Sequence, residues 1–299
     1  MEDNTVTVFG EVLLDHFPDG KTVLGGAPFN VAWHLQAFGQ NPHLVSRIGN
    51  DETGMTIQAA MQNWGLNTDF IQHDPVYPTG EVQVSIENGE PSYKILSDQA
   101  YDHIEQQFID NINRTSILYH GTLATRSYTS KQTLLKIKIL HLGKIFVDVN
   151  LRHPWWNKED VLDLLSYTDC IKLNLDELDA LDATAGELKT RMEVFLKKYH
   201  LETIIVTCGN KGAYALLKNG DYYSVTPAKT SAKLVDTVGA GDAFSAVAML
   251  GLSLDWEFGL IMERAQTFAS EIIKQSGATV DNMKFYNRFL KAWDLPTVR

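Results

Sequence analysis

A short glycine-rich run in the last third of the chain combines an acidic side chain with an uncovered backbone. Residues 236–242 read Asp-Thr-Val-Gly-Ala-Gly-Asp, and an apolar stretch compatible with a helix, Ala243 to Leu250, follows at once. Glycines leave backbone N–H groups accessible, and the first turn of a helix adds unpaired donors and a partial positive charge. The run therefore predicts a phosphate site. Asp242 is either a helix cap or a base that accepts the proton of an attacking hydroxyl.

A pair of glycines near the N-terminus precedes a second predicted helix. The segment Gly25-Gly26-Ala27-Pro28-Phe29-Asn30 is a turn with a polar amide one helical turn further on. Such a turn could simply connect two elements. A sugar site gives these residues a stronger reason, because glycines permit close approach to hydroxyls and Asn30 offers a donor and an acceptor. Asp15 could complete the site by accepting from two hydroxyls, although alone it reads as a solvated acid.

Polar residues follow three predicted strands. Arg152, in the run of residues 148–152, could neutralise a phosphate or form a surface salt bridge. Asn174 and Glu177 would share one helical face and could hold a hydrated Mg²⁺, or they could form a helix cap. In the run of residues 207–212, Gly209 could let a nucleotide lie against the backbone, or it could be an ordinary turn.

Short apolar runs alternate with segments of helical period along most of the chain. The predicted strands are Val6 to Phe9, Ile117 to Tyr119, Ile145 to Val149, Cys170 to Leu173 and Thr203 to Thr207. The predicted helices are Phe29 to Phe38, Thr53 to Trp64, Lys131 to His141, Glu159 to Leu165 and Leu188 to Tyr199. This alternation predicts an α/β fold with a mostly parallel central sheet covered by helices.

Two stretches depart from this rhythm. Val12 to Val23 and Gly80 to Ile95 alternate polar and apolar residues around turn signals, as hairpins do. They predict a small β-layer beside the main sheet. Because ligands of open α/β sheets bind beyond the carboxyl ends of the strands, this layer could act as a lid there.

Composition narrows the class of partner. The chain has 299 residues and a formal charge of −11, which argues against nucleic acid or an anionic membrane as partner. We expect the two cysteines, Cys170 and Cys208, to be reduced and buried. The N-terminus has no predicted leader and no long apolar run follows, so we expect a cytoplasmic protein in which the sequon at Asn113 is unused.

Other familiar nucleotide-binding and metal-binding motifs are incomplete or absent in this sequence. The Gly20-Lys21-Thr22 run lacks the earlier glycine of a P-loop, and Phe244 stands where a dinucleotide fingerprint needs its last glycine. The histidines are scattered, so a zinc site is not predicted.

Taken together, these motifs resemble those of the ribokinase-like, PfkB-type sugar kinase family over nearly the whole chain. The glycine pair at Gly25 and Gly26 and the run of residues 236–242 resemble the two hallmark segments of that family, in the same order. Asn174 with Glu177 resembles its N-x-x-E element. The resemblance implies a single three-layer α/β/α domain over residues 1–299, with lid segments at about residues 12–24 and 80–101.

The resemblance also implies roles for individual residues. Asp242 would be the catalytic base, and Gly239, Ala240 and Gly241 would form the anion hole, with Arg152 as a further charge stabiliser. The implied acceptor ligands are Asp15, Gly25, Gly26, Asn30, Tyr101 and Asp242. The implied nucleotide ligands are Asn174, Thr207, Gly209, Gly212, Gly239 and Gly241. Asn174 and Glu177 would hold Mg²⁺ through water, and Asp236 and Val238 would hold a monovalent cation such as K⁺.

Within that family, the segments Gly10 to Asp15, Leu44 to Gly49, Pro78 to Gly80 and Ala100 to Asp102 look most like those of bacterial fructokinases. The expected reaction is phosphorylation of a free hexose by ATP, with D-fructose first. Another sugar, a sugar acid, a nucleoside, a catalytically silent sugar-binding protein and an unrelated nucleotide-binding scaffold remain as alternatives. A homodimer could form through the edge of the lid.

Overall fold

The computed structural model describes residues 5–87, 90–107, 112, 114–228 and 238–297. The strands in this part of the chain are β1 (Val6–Phe9), β2 (Leu13–His16), β3 (Thr22–Gly25), β4 (His43–Gly49), β5 (Ile71–Asp74), β6 (Gly80–Glu87), β7 (Glu90–Ile95), β8 (Ile117–His120), β9 (Lys144–Asp148), β10 (Cys170–Asn174), β11 (Thr203–Thr207), β12 (Ala213–Leu217) and β13 (Tyr222–Val225). The helices are α1 (Ala27–Ala37), α2 (Glu52–Trp64), α3 (Tyr128–Leu140), α4 (Lys158–Asp163), α5 (Leu175–Leu181), α6 (Leu188–Lys198), α7 (Ala240–Ser253), α8 (Phe258–Ile272) and α9 (Met283–Ala292).

The large sheet has the order β13-β12-β11-β10-β9-β8-β1-β4-β5 among the described residues. The strands from β11 to β5 pair in parallel, and β12 is antiparallel to both of its neighbours. Helices cover both faces, so the predicted three-layer α/β/α fold is confirmed. The parallel pairing brings the carboxyl ends of β1, β8, β9, β10 and β11 to one edge of the sheet, where the polar runs emerge.

Successive side chains along each strand point to opposite faces of the sheet and pack into two separate hydrophobic cores, one on each face. Val6 and Val8 of β1 belong to the core that packs against α1, α7, α8 and α9. Phe9 belongs to the core that packs against α3, α4, α5 and α6. Because successive side chains point to opposite faces, a strand this short and apolar is stable only between two helical layers.

The predicted β-layer is a second sheet with the order β3-β2-β6-β7. Its two hairpins join through the parallel pair β2 and β6, which align Leu13 with Gly80. Leu13 and Val82 of this sheet pack on Tyr101, in the turn that follows β7, and on Leu123 and Ala124, which follow β8 of the large sheet. The small sheet is therefore anchored beside the carboxyl edge.

Several predictions need correction. Cys208 is only partly buried, unlike Cys170, although both thiols are free. The helix after the glycine-rich run begins at Ala240, earlier than expected, because the glycines and Asp242 themselves form its first turn. The antiparallel strands β12 and β13 and the helices α8 and α9 were not predicted. No helix in the described part of the chain is long and apolar enough to cross a membrane.

Candidate active site

The residues of the predicted anion site lie at the start of α7. Gly239 is the N-cap with a left-handed φ of 80°, and Gly241 is exposed in the first turn. A Cβ at Gly239 would lie 2.4 Å from the Cβ of Ala278, so both the backbone conformation and the packing require glycine there. The free N–H groups of this turn face outward with the positive end of the helix dipole.

Asp242 lies in this first turn and is partly exposed. Its Oδ2 accepts a hydrogen bond of 2.8 Å from Nδ2 of Asn30 in α1. Burial raises the pKa of Asp242 to about 6, the negative charge of Asp148 adds to the rise, and the Asn30 hydrogen bond with the charges of Lys172 and Arg152 opposes it. A carboxylate with a pKa near neutrality suits a general base.

A buried ion pair lies next to the helix start. Nζ of Lys172 is 2.6 Å from Oδ1 of Asp148, whose Oδ2 accepts from Ser245 at 2.6 Å and from Tyr119 at 3.2 Å. A Cβ at Gly241 would be 3.4 Å from Nζ of Lys172, which places this cation beside the predicted anion hole. Sequence reasoning missed Lys172; its signal was a charged residue inside an apolar strand.

The glycine pair joins the small sheet to α1. Gly26 is the N-cap of α1 with a φ of 104°, and a Cβ there would be 2.5 Å from the carbonyl oxygen of Glu11. A Cβ at Gly25 would be 3.0 Å from Oδ2 of Asp15 in β2. Packing within the chain therefore requires glycine at position 26. The close approach of Gly25 to Asp15 places the Asp15 carboxylate next to the turn that leads to Asn30.

Tyr101 lies in a short 3-10 turn, Ala100–His103, beneath the small sheet and is fully buried. Its hydroxyl has no hydrogen-bond partner among the described residues. The guanidinium of Arg126 lies 5.1 Å from the Tyr101 ring and 4.3 Å from the Trp155 ring. Arg126 donates from Nε and Nη2 to the two carboxylate oxygens of Asp102, each at 2.7 Å, so its charge is balanced.

Glu11 and Arg126 were also missed from the sequence. Glu11 is 2 % exposed and directly follows Gly10 at the end of β1. Burial raises its pKa to about 7, although the backbone amides of Glu11 and Ala27 donate to it. The negative charge of Asp242 also raises this pKa. Glu11 lies in the segment Gly10 to Asp15, which was named only because it resembles a segment of fructokinases. Its residue type and sequence position alone did not mark it as a site residue.

Asn174 and Glu177 form the capping box that was one of their two interpretations. The Asn174 side chain accepts from the Glu177 N–H, and Glu177 Oε2 accepts from the Asn174 N–H, both at 2.8 Å. The other oxygen of Glu177 accepts from the Leu151 N–H at 3.2 Å. The cap leaves further lone pairs on these oxygens, so it is compatible with ligation of Mg²⁺ through water.

The remaining predicted residues lie along the same edge. Thr207 pairs in register with Asn174, so the end of β11 adjoins the capping box. Gly209 is exposed with a φ of 55°. At Gly212 a Cβ would lie 1.8 Å from the carbonyl oxygen of Val225, so packing explains that glycine. Arg152 is exposed and forms none of the ion pairs found among the described residues, although its charge lowers the pKa values of Glu11 and Asp242.

The predicted monovalent-cation site lies largely outside the described residues. Asp236 is not among them, and Val238 is 40 % exposed. Within the described ranges, no group of three or more histidine, cysteine, aspartate or glutamate side chains could hold a metal ion.

The arrangement can bind an anion at a helix N-terminus beside a carboxylate that can accept a proton, which is the combination that phosphoryl transfer to a hydroxyl needs. Comparison with known proteins agrees with it. Residues 4–284 match the family described as pfkB family carbohydrate kinase. The chain therefore belongs to this family of carbohydrate kinases, and it is a phosphotransferase that uses an alcohol group as acceptor.

Individual relatives are distant. The rice protein named fructokinase-2 (Oryza sativa subsp. japonica) is 28% identical over 278 residues, which cover 85% of this chain and 81% of that protein. The crystal structure of a fructokinase with bound ATP from Xylella fastidiosa has a TM-score of 0.82 at 17% identity and covers 98% of this chain and 99% of its own. A double mutant of a Vibrio cholerae fructokinase, bound to fructose, ADP and potassium, has a TM-score of 0.80 at 22% identity and covers 92% of this chain and 94% of its own. At these identities the two structures show the fold.

Proposed function

We propose that the protein transfers the γ-phosphoryl group of ATP to the primary hydroxyl of a free hexose, with D-fructose as the first candidate. The observation that carries the proposal is Asp242, a half-buried carboxylate of raised pKa in the first turn of α7. In this role Asp242 accepts the hydroxyl proton as the oxygen attacks in line. The backbone N–H groups of residues 239–241 stabilise the negative charge that develops on the transferred group.

The acceptor binds between the small sheet and the start of α1. Asp15, Gly25, Gly26, Asn30 and Tyr101 are the proposed ligands. Two buried polar atoms support this assignment, because Oδ1 of Asn30 and the hydroxyl of Tyr101 have no partner among the described residues. An unpaired buried polar atom costs about 1–3 kcal/mol, and the hydroxyls of a sugar would supply the missing partners.

Neutralisation of the buried cations near the acceptor site favours a neutral sugar over a sugar acid. The two buried cations in the described part of this site are already paired, Lys172 with Asp148 and Arg126 with Asp102. A buried carboxylate on the acceptor would need a cation of its own. The exposed Arg152 remains as a partner for the transferred phosphoryl group.

The nucleotide is proposed to lie along the ends of β10 and β11. Asn174, Thr207, Gly209 and Gly212 are the candidate contacts on this side, and the amides of Gly239 and Gly241 face the phosphates. Asn174 and Glu177 present oxygen atoms, the ligand type that Mg²⁺ prefers, and a Mg²⁺ bound through water would neutralise phosphate charge. Asp236 and Val238 are the proposed ligands of a monovalent cation such as K⁺.

We also infer that residues 1–299 form one catalytic unit in which the small sheet acts as a lid. Closure of such a lid would exclude water and limit wasteful hydrolysis of ATP. The edge of the lid could pair with that of a second copy, so a homodimer is part of this proposal.

The test is sugar-dependent ADP release with Mg-ATP across a panel of D-fructose, ribose, adenosine and 2-keto-3-deoxygluconate. The Asp242→Asn protein is assayed alongside, with Asp255→Asn as a matched control because Asp255 is exposed beyond the other end of α7. We expect turnover to be highest on fructose and to fall at least about 10²-fold in Asp242→Asn, the usual scale for losing a positioned base.

Each outcome decides between candidates. Turnover on another sugar keeps the mechanism and replaces the acceptor. An Asp242→Asn protein as active as the Asp255→Asn control removes the base assignment. Sugar binding without ADP formation on any member of the panel indicates a silent sugar-binding protein instead.

A further inference from the structure

Glu11 is a buried acid, and only one of its two carboxyl oxygens accepts hydrogen bonds from the described residues. Its side chain is 2 % exposed, and its carboxyl group accepts from the backbone N–H groups of Glu11 and Ala27 at the start of α1. Its Oε2 is buried without a hydrogen-bond partner among the described residues. A carboxylic acid has one accepting carbonyl oxygen and one O–H donor, and this asymmetry fits a proton on Oε2.

The charged and titratable groups around Glu11 leave it without a cation of its own. The groups whose charges interact with it lie on four other segments of the site: Asp242 in α7, Arg152 after β9, Tyr101 in the 3-10 turn, and Tyr119 and Arg126 in and after β8. Arg126 is paired with Asp102, and Arg152 is exposed. Asp242 repels a negative charge on Glu11. A buried acid in such surroundings is held neutral.

Three further buried polar atoms without described partners belong to residues of the same site. They are Oδ1 of Asn30, the hydroxyl of Tyr101 and Nη1 of Arg126. Asn30 is hydrogen-bonded to Asp242, and Glu11 interacts electrostatically with Tyr101, Arg126 and Asp242. These four unpaired polar atoms, one on Glu11 and three on the other residues, would destabilise the fold unless water or a polar ligand satisfies them. A molecule with several hydroxyl groups does so.

We propose that Glu11 is a further acceptor-binding residue, and that it acts as a neutral carboxylic acid whose Oε2–H donates a hydrogen bond to an oxygen of the sugar. This inference rests on the proposed function for the nature of the sugar. No bond to the acceptor forms or breaks at Glu11. Its carbonyl oxygen keeps the two backbone donors, so Gly26 and Ala27 at the start of α1 stay in place around the ligand.

The proposal predicts that acceptor binding weakens as Glu11 loses its proton. The apparent dissociation constant rises in inverse proportion to the competent fraction of the protein. We expect the constant for D-fructose, measured by titration calorimetry without nucleotide, to rise at least about 10-fold from about pH 6.5 to about pH 8.5. Glu11→Gln keeps a donor that does not titrate, so its constant should change less than about 2-fold over this range. Glu11→Ala should bind about 10-fold more weakly than Glu11→Gln at every pH, because it lacks the hydrogen-bond donor.

The matched control is Glu52→Gln, an exposed first-turn residue of α2, which should keep the pH dependence of the parent protein. The parent protein tests the idea without any substitution, so a variant that fails to fold does not decide the outcome. Binding that is independent of pH in the parent protein, or an equal pH dependence in Glu11→Gln, overturns the role of Glu11.

The kinase assay separates this failure from that of the proposed function. Turnover of fructose with pH-independent binding overturns Glu11 alone. Binding with the predicted pH dependence but no turnover on the panel overturns the kinase proposal and keeps Glu11. Absence of binding at every pH by every member of the panel, with no turnover, overturns both.

Discussion

Removal of the Asn30 side chain should shift the pH at which the enzyme becomes active. Nδ2 of Asn30 donates to Oδ2 of Asp242 at 2.8 Å and so stabilises the charged form of that carboxyl group. A hydrogen bond to a charged group contributes about 1.5–3 kcal/mol, and one pKa unit corresponds to about 1.4 kcal/mol. The pKa of Asp242 is about 6 with this bond in place. Asn30→Ala should therefore raise it to about 7–8.

In the proposed mechanism Asp242 acts as a base in its ionised form, so kcat/KM should rise with pH through the pKa of Asp242 in the free enzyme. At about pH 7 the ionised fraction should fall from about nine-tenths to between about one-tenth and one-half in Asn30→Ala. Loss of the proposed sugar contact of Asn30 should lower the maximum of kcat/KM only, whereas the change in the pKa of Asp242 should move the acid limb to higher pH. The assay is kcat/KM for the acceptor between about pH 5 and about pH 9, in buffers of constant ionic strength.

The control is Asn63→Ala, which removes an exposed side chain from α2 and should leave the profile in place. An acid limb at the same pH in Asn30→Ala and in the control would refute the argument that this hydrogen bond sets the pKa of the base. A limb near the ordinary pKa of an aspartate in the parent protein would refute the raised pKa itself.

Three further predictions concern Gly26, Glu11 and Asp15. Gly26→Ala places a Cβ 2.5 Å from a carbonyl oxygen at a φ of 104°, so we expect the unfolding free energy, measured by urea titration, to fall by about 3 kcal/mol or more. The control is Gly220→Ala, which has a φ of 95° and nothing within 4 Å of the added Cβ. It should lose only about 1 kcal/mol. Folding raises the pKa of Glu11 from 4.5 to about 7, so the stability that the protonated acid contributes is lost as pH rises through this interval. Glu11→Gln should therefore be about 2–3 kcal/mol more stable than the parent protein near pH 8, but not near pH 5. A stability difference that is the same at both pH values contradicts this assignment. Asp15→Ala should raise KM for the sugar about 10-fold or more with a smaller change in kcat, and an unchanged KM would remove Asp15 from the acceptor site.

Local patterns predicted much of the parallel half of the fold. β1 and β11 have the predicted bounds, and the ends of the other predicted strands shift by one residue, because short apolar runs bounded by polar residues fit buried parallel strands. The antiparallel strands β12 and β13 carry mixed residues at the sheet edge and gave no such signal. In α9 the buried residues Tyr286, Phe289 and Leu290 have helical spacing, so that helix could have been found from the sequence.

Part of the candidate site could be named from the sequence because its residues have local physical requirements, such as a helix start, a turn, or an N-cap with its N3 partner. This part comprises the glycine motifs, Asp242, Asn30 and the capping pair. Only the tertiary structure joined Asn30 to Asp242, which are 212 positions apart. It also decided that Lys172 and Arg126 are neutralised by carboxylates from other strands and turns. Glu11 shows the same limit most clearly. Its sequence position allows an exposed, ionised acid, and its proton affinity is set by burial and by charges that the fold brings together through space.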